Sequence, residues 1–96
     1  GLLAAAAEVD SDYDRRQILT AYVAKYGVEG TMRDPFFAAV DAMRSDYDRA
    51  ETLIAALKGQ SIDSTMRAAY VSSAERLKST YDQNRVLAAV TRAERR

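Results

Sequence analysis

Residues 45–53 read SDYDRAETL, and related segments occur 34 residues to either side, SDYDRRQIL at residues 11–19 and STYDQNRVL at residues 79–87. Aligned with this period and without a gap, residues 11–44 and 45–78 are identical at 10 positions. Self-similarity at a fixed period of roughly 20–50 residues is typical of repeat architectures. The sequence therefore predicts one repeat domain, residues 1–96, made of the second half of a repeat (1–10), two complete repeats (11–44 and 45–78) and the first half of another (79–96).

Each repeat is predicted to contain two amphipathic helices, because its apolar residues recur at steps of three and four, as in Tyr47, Ala50, Ile54 and Leu57. A pair of such helices cannot cover its own apolar stripe and must stack on its neighbours. We therefore expect an all-α fold of tandem antiparallel helical hairpins, a fragment of an α-solenoid with about six helices. The predicted helices lie near residues 2–10, 12–26, 32–44, 46–58, 65–78 and 80–94.

Helix starts are indicated by a serine or threonine followed three residues later by an aspartate, as in the Ser45 and Asp48 pair. The hydroxyl accepts hydrogen bonds from free N–H groups, and the carboxylate favours the positive end of the helix dipole. The predicted capping residues, with Thr65 added by its repeat position, are Ser11, Asp14, Thr31, Ser45, Asp48, Thr65, Ser79 and Asp82.

Eight residues that recur in the repeat are predicted to form its core, namely Tyr13, Leu19, Met32, Tyr47, Leu53, Met66, Tyr81 and Leu87. For the three tyrosines, this prediction means that each ring is buried at a hairpin junction while its hydroxyl remains in water. The alternative is an exposed aromatic ladder on which bases or peptide side chains stack.

Composition excludes much of enzyme chemistry, because the chain has no cysteine and no histidine. Disulfides, thiolate nucleophiles, the usual zinc sites and the commonest general base are therefore absent, and we predict no catalytic residue, cofactor or metal. Fourteen basic residues balance fourteen acidic ones, which gives no support for nucleic-acid binding. No apolar run approaches the roughly 20 residues that a membrane helix needs, so direct membrane insertion is not expected.

Three clusters of charged residues have alternative interpretations. The alternating acids of residues 10–14 resemble part of a calcium loop, but Arg15 stands where such a loop needs glycine, and helix capping explains the same residues. Arg33 and Arg67 suit binding of a carboxylate or phosphate, or pairing with a neighbouring acid such as Asp14, Asp48 or Glu29. A hydrolytic pair of carboxylates is the remaining alternative, drawn from Asp12, Asp14, Asp46, Asp48 and Glu51.

The 34-residue period matches that of tetratricopeptide repeats, but the tryptophan, Gly-Tyr pair and late proline of that family are missing. The Ser-Asp-Tyr-Asp-Arg segment followed by Leu19 or Leu53 resembles repeats in the tails of bacterial proteins of unknown function. Some of those tails are attached to membrane-embedded signalling proteases. The resemblance covers nearly the whole chain and implies a soluble segment of a membrane-attached protein, but it does not point to any particular activity.

The sequence thus predicts a non-catalytic scaffold that binds a protein or peptide partner. The alternatives are an architectural spacer beside a catalytic or membrane signalling domain, and a carboxylate hydrolase. Self-association through the ends of the repeat array is also expected, since the outermost helices are built to touch further repeats. The apolar residues predicted to mediate it are Leu2, Leu3 and Val9 at one end and Val86, Leu87 and Val90 at the other. Opposite net charges of the two halves, −4 for residues 1–48 and +4 for residues 49–96, favour head-to-tail contacts.

Overall fold

The computed structural model describes residues 11–96, and all their regular structure is helical. The α-helices are α1 (Asp12–Tyr26), α2 (Arg33–Asp41), α3 (Asp46–Leu57), α4 (Ser64–Glu75) and α5 (Thr80–Glu94), and one 3₁₀ turn, Gly30–Met32, precedes α2. No strand occurs within residues 11–96. The predicted all-α class is confirmed, and the helix expected at residues 2–10 lies outside the described part.

The second helix of each repeat is shorter than predicted, because α2 ends at Asp41 and α4 at Glu75. The chain turns at residues 42–45 and again at residues 76–79. A carboxylate of the preceding first helix stabilises each turn. This carboxylate accepts hydrogen bonds from backbone N–H groups that would otherwise have no partner within a helix. These long-range hydrogen bonds stabilise the turns that follow the second helices, at positions where the apolar spacing predicts further helix.

The helices form two layers. The first helices α1, α3 and α5 pack side by side with α3 in the middle, and α2 and α4 form the second layer. The smallest dimension of the molecule is 17 Å, which fits two layers of helices at the usual interaxial distance of about 8–10 Å. The two helices of one repeat make few close backbone contacts, whereas the second helix packs on the first helix of the next repeat, most extensively α4 on α5.

The core lies between the layers, and the repeat positions are not equally buried. Leu19 and Leu53 are wholly buried as predicted, whereas Leu87 at the same position is only half-buried. Met32 and Met66 are also half-buried and pack against the edge of the core. Among the helices of residues 11–96, α5 packs mainly against α3 and α4, which leaves Leu87 partly uncovered.

The predicted association surface on α5 is wrong for two of its three residues. Val86 and Val90 are buried in the core of the molecule, and only Leu87 retains partial exposure. The face of α5 that carries them is turned toward α3 and α4 rather than toward a further repeat. Leu2, Leu3 and Val9, predicted for the opposite end, lie outside the described residues.

The serine caps are confirmed at all three first helices. The Oγ atoms of Ser11, Ser45 and Ser79 accept the backbone N–H three residues later, at 3.3, 3.2 and 3.1 Å. The donors of these hydrogen bonds are the predicted first-turn acids Asp14, Asp48 and Asp82.

The threonine caps are wrong. Thr31 lies inside the 3₁₀ turn, and α2 begins after Met32 without a side-chain cap. Helix α4 begins at Ser64, one residue before Thr65, and its cap is the Asp63 carboxylate, which accepts the Met66 N–H at 2.8 Å. Asp63 takes this role because its short side chain reaches the third N–H of the helix, as N-cap aspartates generally do.

Candidate functional site

The three repeated tyrosines lie on the outside of the first helices, so their assignment to the core is wrong. The exposed fractions of Tyr13, Tyr47 and Tyr81 are 57%, 53% and 74%. At about 100° per residue, Tyr47 lies about 135° around the axis of α3 from the centre of the buried side chains, which include Ala50 and Leu53. The buried face is therefore rotated away from the stripe that the apolar spacing suggests, and the rings are exposed, as the ladder interpretation requires.

Two arginines lie between the three rings. The guanidinium carbon of Arg16 is 5.3 Å from the centroid of the Tyr13 ring and 5.6 Å from that of Tyr47. The guanidinium carbon of Arg85 is 5.9 Å from the Tyr47 centroid and 5.8 Å from the Tyr81 centroid. These distances are within the range of cation–π interaction. The result is a continuous sequence of side chains, Tyr13, Arg16, Tyr47, Arg85 and Tyr81, which we call the Tyr/Arg row.

Carboxylates fix the arginine of the row that lies between α3 and α5. Arg85 donates from Nη2 to Glu51 Oε2 at 2.6 Å and from Nη1 to Asp82 Oδ1 at 3.1 Å. These bonds, the one to Glu51 first, raise the pKa of the Arg85 guanidinium against the opposing effect of burial. Tyr47 joins the same group, since its hydroxyl donates to Glu51 Oε1 at 3.1 Å. The guanidinium plane between the rings is thus held from two sides.

The second arginine of the row joins α1 to α3. Arg16 donates from Nε to Asp48 Oδ1 at 2.7 Å. Both side chains are largely shielded from solvent, so the ion pair is screened less than a fully exposed one. Each arginine of the row therefore links two consecutive first helices.

Hydrogen bonds from an aspartate of one repeat to the start of the next repeat set the register of the row. We call these hydrogen bonds the relay. Asp12 Oδ2 accepts the backbone N–H groups of Arg44 and Ser45 at 2.7 and 2.5 Å. The equivalent Asp46 Oδ2 accepts those of Lys78 and Ser79 at 2.9 and 2.8 Å. The first helical residue of one repeat thus positions the start of the next first helix, and with it the tyrosine two residues beyond the serine.

Sequence reasoning missed this relay, because it connects residues 32 and 33 positions apart. The available signal was the recurrence of aspartate directly after the capping serine at residues 12 and 46 but not at Thr80. The calcium interpretation fails at the same point, since the Asp12 carboxylate is occupied by backbone N–H groups.

The arginines of the second helices pair with acids, although not with the predicted ones. Arg33 donates from Nε to the neighbouring Asp34 at 3.2 Å, and Arg67 donates to Glu94 at 2.9 Å. An open depression of about 760 Å³ lies between the starts of α2 and α4 and is lined largely by polar loop residues. The depression holds no pair of converging unpaired charges, since Arg33 already contacts Asp34.

A polar cluster centred on Asp41 connects α2 with α3 and α4. The carboxylate accepts hydrogen bonds from Ser73 Oγ at 2.8 Å and from Arg49 Nη2 at 3.4 Å, and it also binds Arg76 Nη1. Arg49 is buried, so its charge needs this partner. The role of the cluster is to join the two layers.

Two further findings concern membrane-spanning helices and clusters of acidic side chains in the described part. Within residues 11–96, no helix is long and apolar enough to cross a membrane. Over the same range, no three acidic side chains converge as a metal site would require.

The chain matches no protein-family model, and no curated protein or solved structure is significantly similar to it.

Proposed function

We propose that this chain is a non-catalytic helical-repeat scaffold that binds a protein segment across the Tyr/Arg row. The observation that carries the proposal is the row itself, in which three tyrosines at one repeat position stay more than half exposed, whereas Leu19 and Leu53 of the same helices are wholly buried. Tyrosine and arginine are the residues most enriched, with tryptophan, at the energetic centres of protein interfaces.

The row is also preorganised. Arg16 and Arg85 each lie between two rings and bind carboxylates, so their long side chains are already ordered before a partner arrives. Ordering a flexible side chain at an interface costs about 0.5–1.5 kcal/mol, and a row built in this way avoids that cost. The carboxylates Asp48, Glu51 and Asp82 are committed to these arginines, which argues against their use as an acid and base pair in hydrolysis.

The architectural spacer is the second candidate, and one observation favours it. The same side chains that form the row also connect successive first helices, through Arg16 with Asp48 and Arg85 with Glu51. A spacer needs only this connection, and in that case the exposed ring faces bind nothing.

A random peptide library displayed on phage separates the two candidates. The library is selected against the 96-residue chain, and each enriched peptide is then measured against Tyr47→Ala and against the matched control Tyr26→Ala. Tyr26 is 58% exposed but lies at the end of α1, where its ring contacts Tyr22 and not the row. We expect peptides that lose affinity about ten-fold with Tyr47→Ala and not with Tyr26→Ala. Enriched peptides indifferent to Tyr47→Ala would favour the spacer.

A further inference from the structure

A pocket of about 320 Å³ lies between the C-terminal ends of α3 and α5, and it shares no side chain with the Tyr/Arg row. This volume is at the lower end of the range of about 300–1,000 Å³ that is usual for ligand pockets. The lining consists of three apolar and three cationic side chains, namely Ile54, Leu57, Ala89, Lys58, Arg92 and Arg96. We call this site the basic pocket.

Tertiary hydrogen bonds hold the two sides of the basic pocket together. Ser61 Oγ donates to the main-chain carbonyl of Arg96 at 2.7 Å, and the Ile62 N–H donates to the Ala93 carbonyl at 3.4 Å. The segment that follows α3 is therefore attached to the end of α5. Arg96 Nη1 lies 4.0 Å from the position that a Cβ atom on Gly59 would occupy, so this guanidinium reaches from the end of α5 to the end of α3.

The cations of the basic pocket have no anionic partner in the described part of the chain. None of the three side chains forms an ion pair or a hydrogen bond with another residue of that part. The acids of the adjoining helical turns, Glu51 and Glu94, bind Arg85 and Arg67 instead. The pocket therefore combines apolar walls with three positive charges that no carboxylate neutralises.

The helix dipoles account for only part of this charge. Each helix C-terminus carries the equivalent of about half a negative charge, which cations at that end complement. Helices α3 and α5, which end at Leu57 and Glu94, together supply about one negative charge against three positive ones. A ligand that complements the pocket must therefore bring about two negative charges.

The repeat architecture does not require these cations. The corresponding positions 34 residues earlier, toward the ends of α1 and α3, carry only one cationic residue. Their residues are Thr20, Val23, Ala24, Ala55, Lys58 and Ile62. First helices thus pack side by side without a cluster of three cations, and the cluster is particular to the α3 and α5 pair.

The apolar walls decide which anion suits the pocket. Ile54, Leu57 and Ala89 form a surface for one aliphatic side chain, but not the extended apolar surface that a long acyl chain needs. Inorganic phosphate or a nucleic-acid backbone would leave the same apolar walls in contact with water. A peptide segment with an aliphatic residue between two acidic residues matches both the walls and the charge.

We propose that the basic pocket binds an acidic segment of a protein partner, with one aliphatic side chain against Ile54, Leu57 and Ala89 and flanking carboxylates on Lys58, Arg92 and Arg96. The carrying observations are the three cations without a partner and the apolar walls between them. This inference goes beyond the function proposed for the Tyr/Arg row and does not depend on it.

Fluorescence anisotropy with labelled peptides tests the proposal on the 96-residue chain. The probe is Gly-Ser-Glu-Leu-Glu-Ser-Gly, and its comparators replace both glutamates with glutamine or the leucine with glycine. We expect each comparator to bind about ten-fold more weakly than the probe. Arg92→Gln should weaken binding of the probe about five-fold. Arg95→Gln is the matched control, since Arg95 is exposed at the same helix end but does not line the pocket, and it should change binding little.

Several results would overturn the proposal. Binding of either comparator as tight as that of the probe would show that the charge or the aliphatic side chain is not recognised. Equal weakening by Arg92→Gln and Arg95→Gln would place the peptide outside the pocket. Displacement of the probe by decanoate or inorganic phosphate at a lower concentration than by the unlabelled peptide would identify a lipid carboxylate or a simple anion as the ligand. Absence of binding up to about 1 mM would exclude the peptide class. The Tyr/Arg row would be unaffected by each result, because the two sites share no side chain.

Discussion

Serine and aspartate side by side perform two different tasks at the start of each complete repeat. The serine caps its own helix, with Ser45 Oγ accepting the Asp48 N–H. The following aspartate, Asp46, instead accepts two N–H groups from the turn that leads into α5. The serine makes one local hydrogen bond that caps its own helix, whereas the aspartate accepts two long-range hydrogen bonds that position the next first helix. Substitutions of the two residues should therefore differ in their effect on stability.

Replacing the capping serine tests the local bond. Ser45→Ala removes the acceptor of one backbone N–H, and we expect the free energy of unfolding to fall by about 1 kcal/mol. Urea denaturation midpoints measure the change. Ser72→Ala is the matched control, since Ser72 is exposed within α4 and should leave the midpoint nearly unchanged. Equal midpoints for the Ser45 variant and the parent chain would contradict the capping role.

Replacing the relay aspartate should lower the free energy of unfolding by more than replacing the capping serine does. Asp46→Ala leaves the N–H groups of Lys78 and Ser79 without a charged acceptor, and we expect a loss of about 2–3 kcal/mol. Asp46→Asn keeps an acceptor oxygen and should lose roughly half as much. The same urea experiment measures both variants. A smaller effect for Asp46→Ala than for Ser45→Ala would show that the relay contributes little to stability.

Tyr70 provides a test at alkaline pH. Its side chain is buried, and desolvation raises its pKa above the ordinary value of 10.0. The unfolded chain therefore loses this proton at a lower pH than the folded one, and the free energy of unfolding must fall as the pH rises above 10.0. Tyr70→Phe removes the ionisable group, so its urea midpoint should fall less steeply between about pH 10 and 11.5. Parallel slopes for the two proteins would contradict the burial of Tyr70.

At the scale of the helix, the number of neighbours decides which face is buried. Helix α3 has α1 on one flank and α5 on the other, whereas α5 packs mainly against α3 and α4 among the helices of residues 11–96. Equivalent residues of the repeat therefore differ in burial. Leu53 is fully enclosed, and Leu87 is not, because the buried arc of α5 is centred on Val86 and Val90 instead.

Truncation of these two leucines should reveal the difference. We expect Leu53→Ala to lower the free energy of unfolding by about 2–5 kcal/mol, the usual range for a fully buried leucine. Leu87→Ala should cost about 1 kcal/mol or less, since part of its surface already contacts water. Guanidinium denaturation of both variants gives the comparison. Equal losses would mean that the two positions are equivalent and that α5 is covered on both flanks.

Across the whole molecule, the layer of first helices is joined by ion pairs that also form the Tyr/Arg row. Arg85 and Glu51 connect α5 to α3, and Arg16 and Asp48 connect α3 to α1. Each pair is partly accessible to solvent. Their contribution to stability should therefore be modest and dependent on salt.

A double-mutant cycle on Arg85 and Glu51 measures that contribution. With Arg85→Ala, Glu51→Ala and the double variant, we expect a coupling energy of about 0.5–1 kcal/mol at low ionic strength. At about 1 M salt the coupling should fall by half or more. An ion pair that contributed nothing at low salt would leave Arg85 ordered by its contacts with the rings and with Asp82.

The repeated period, the all-helical class and the serine caps follow from the sequence, because each depends on interactions within a few residues. The cap at Ser45 reaches only to Asp48, and helical spacing requires only the near neighbours along the chain. The same local logic gave wrong caps at Thr31 and Thr65, where the start of the helix shifted by one or two residues.

Only the tertiary structure decided which face of each helix is buried, how the second helices end and where the tyrosines point. Apolar spacing defines a stripe, but the buried arc is set by the helices that pack on either side, and these placed Tyr47 in solvent. The turns after α2 and α4 depend on Asp12 and Asp46, which lie 32 residues away from the first N–H group they bind. Contacts between distant residues exist only once the repeats have stacked, because no single repeat buries its own face.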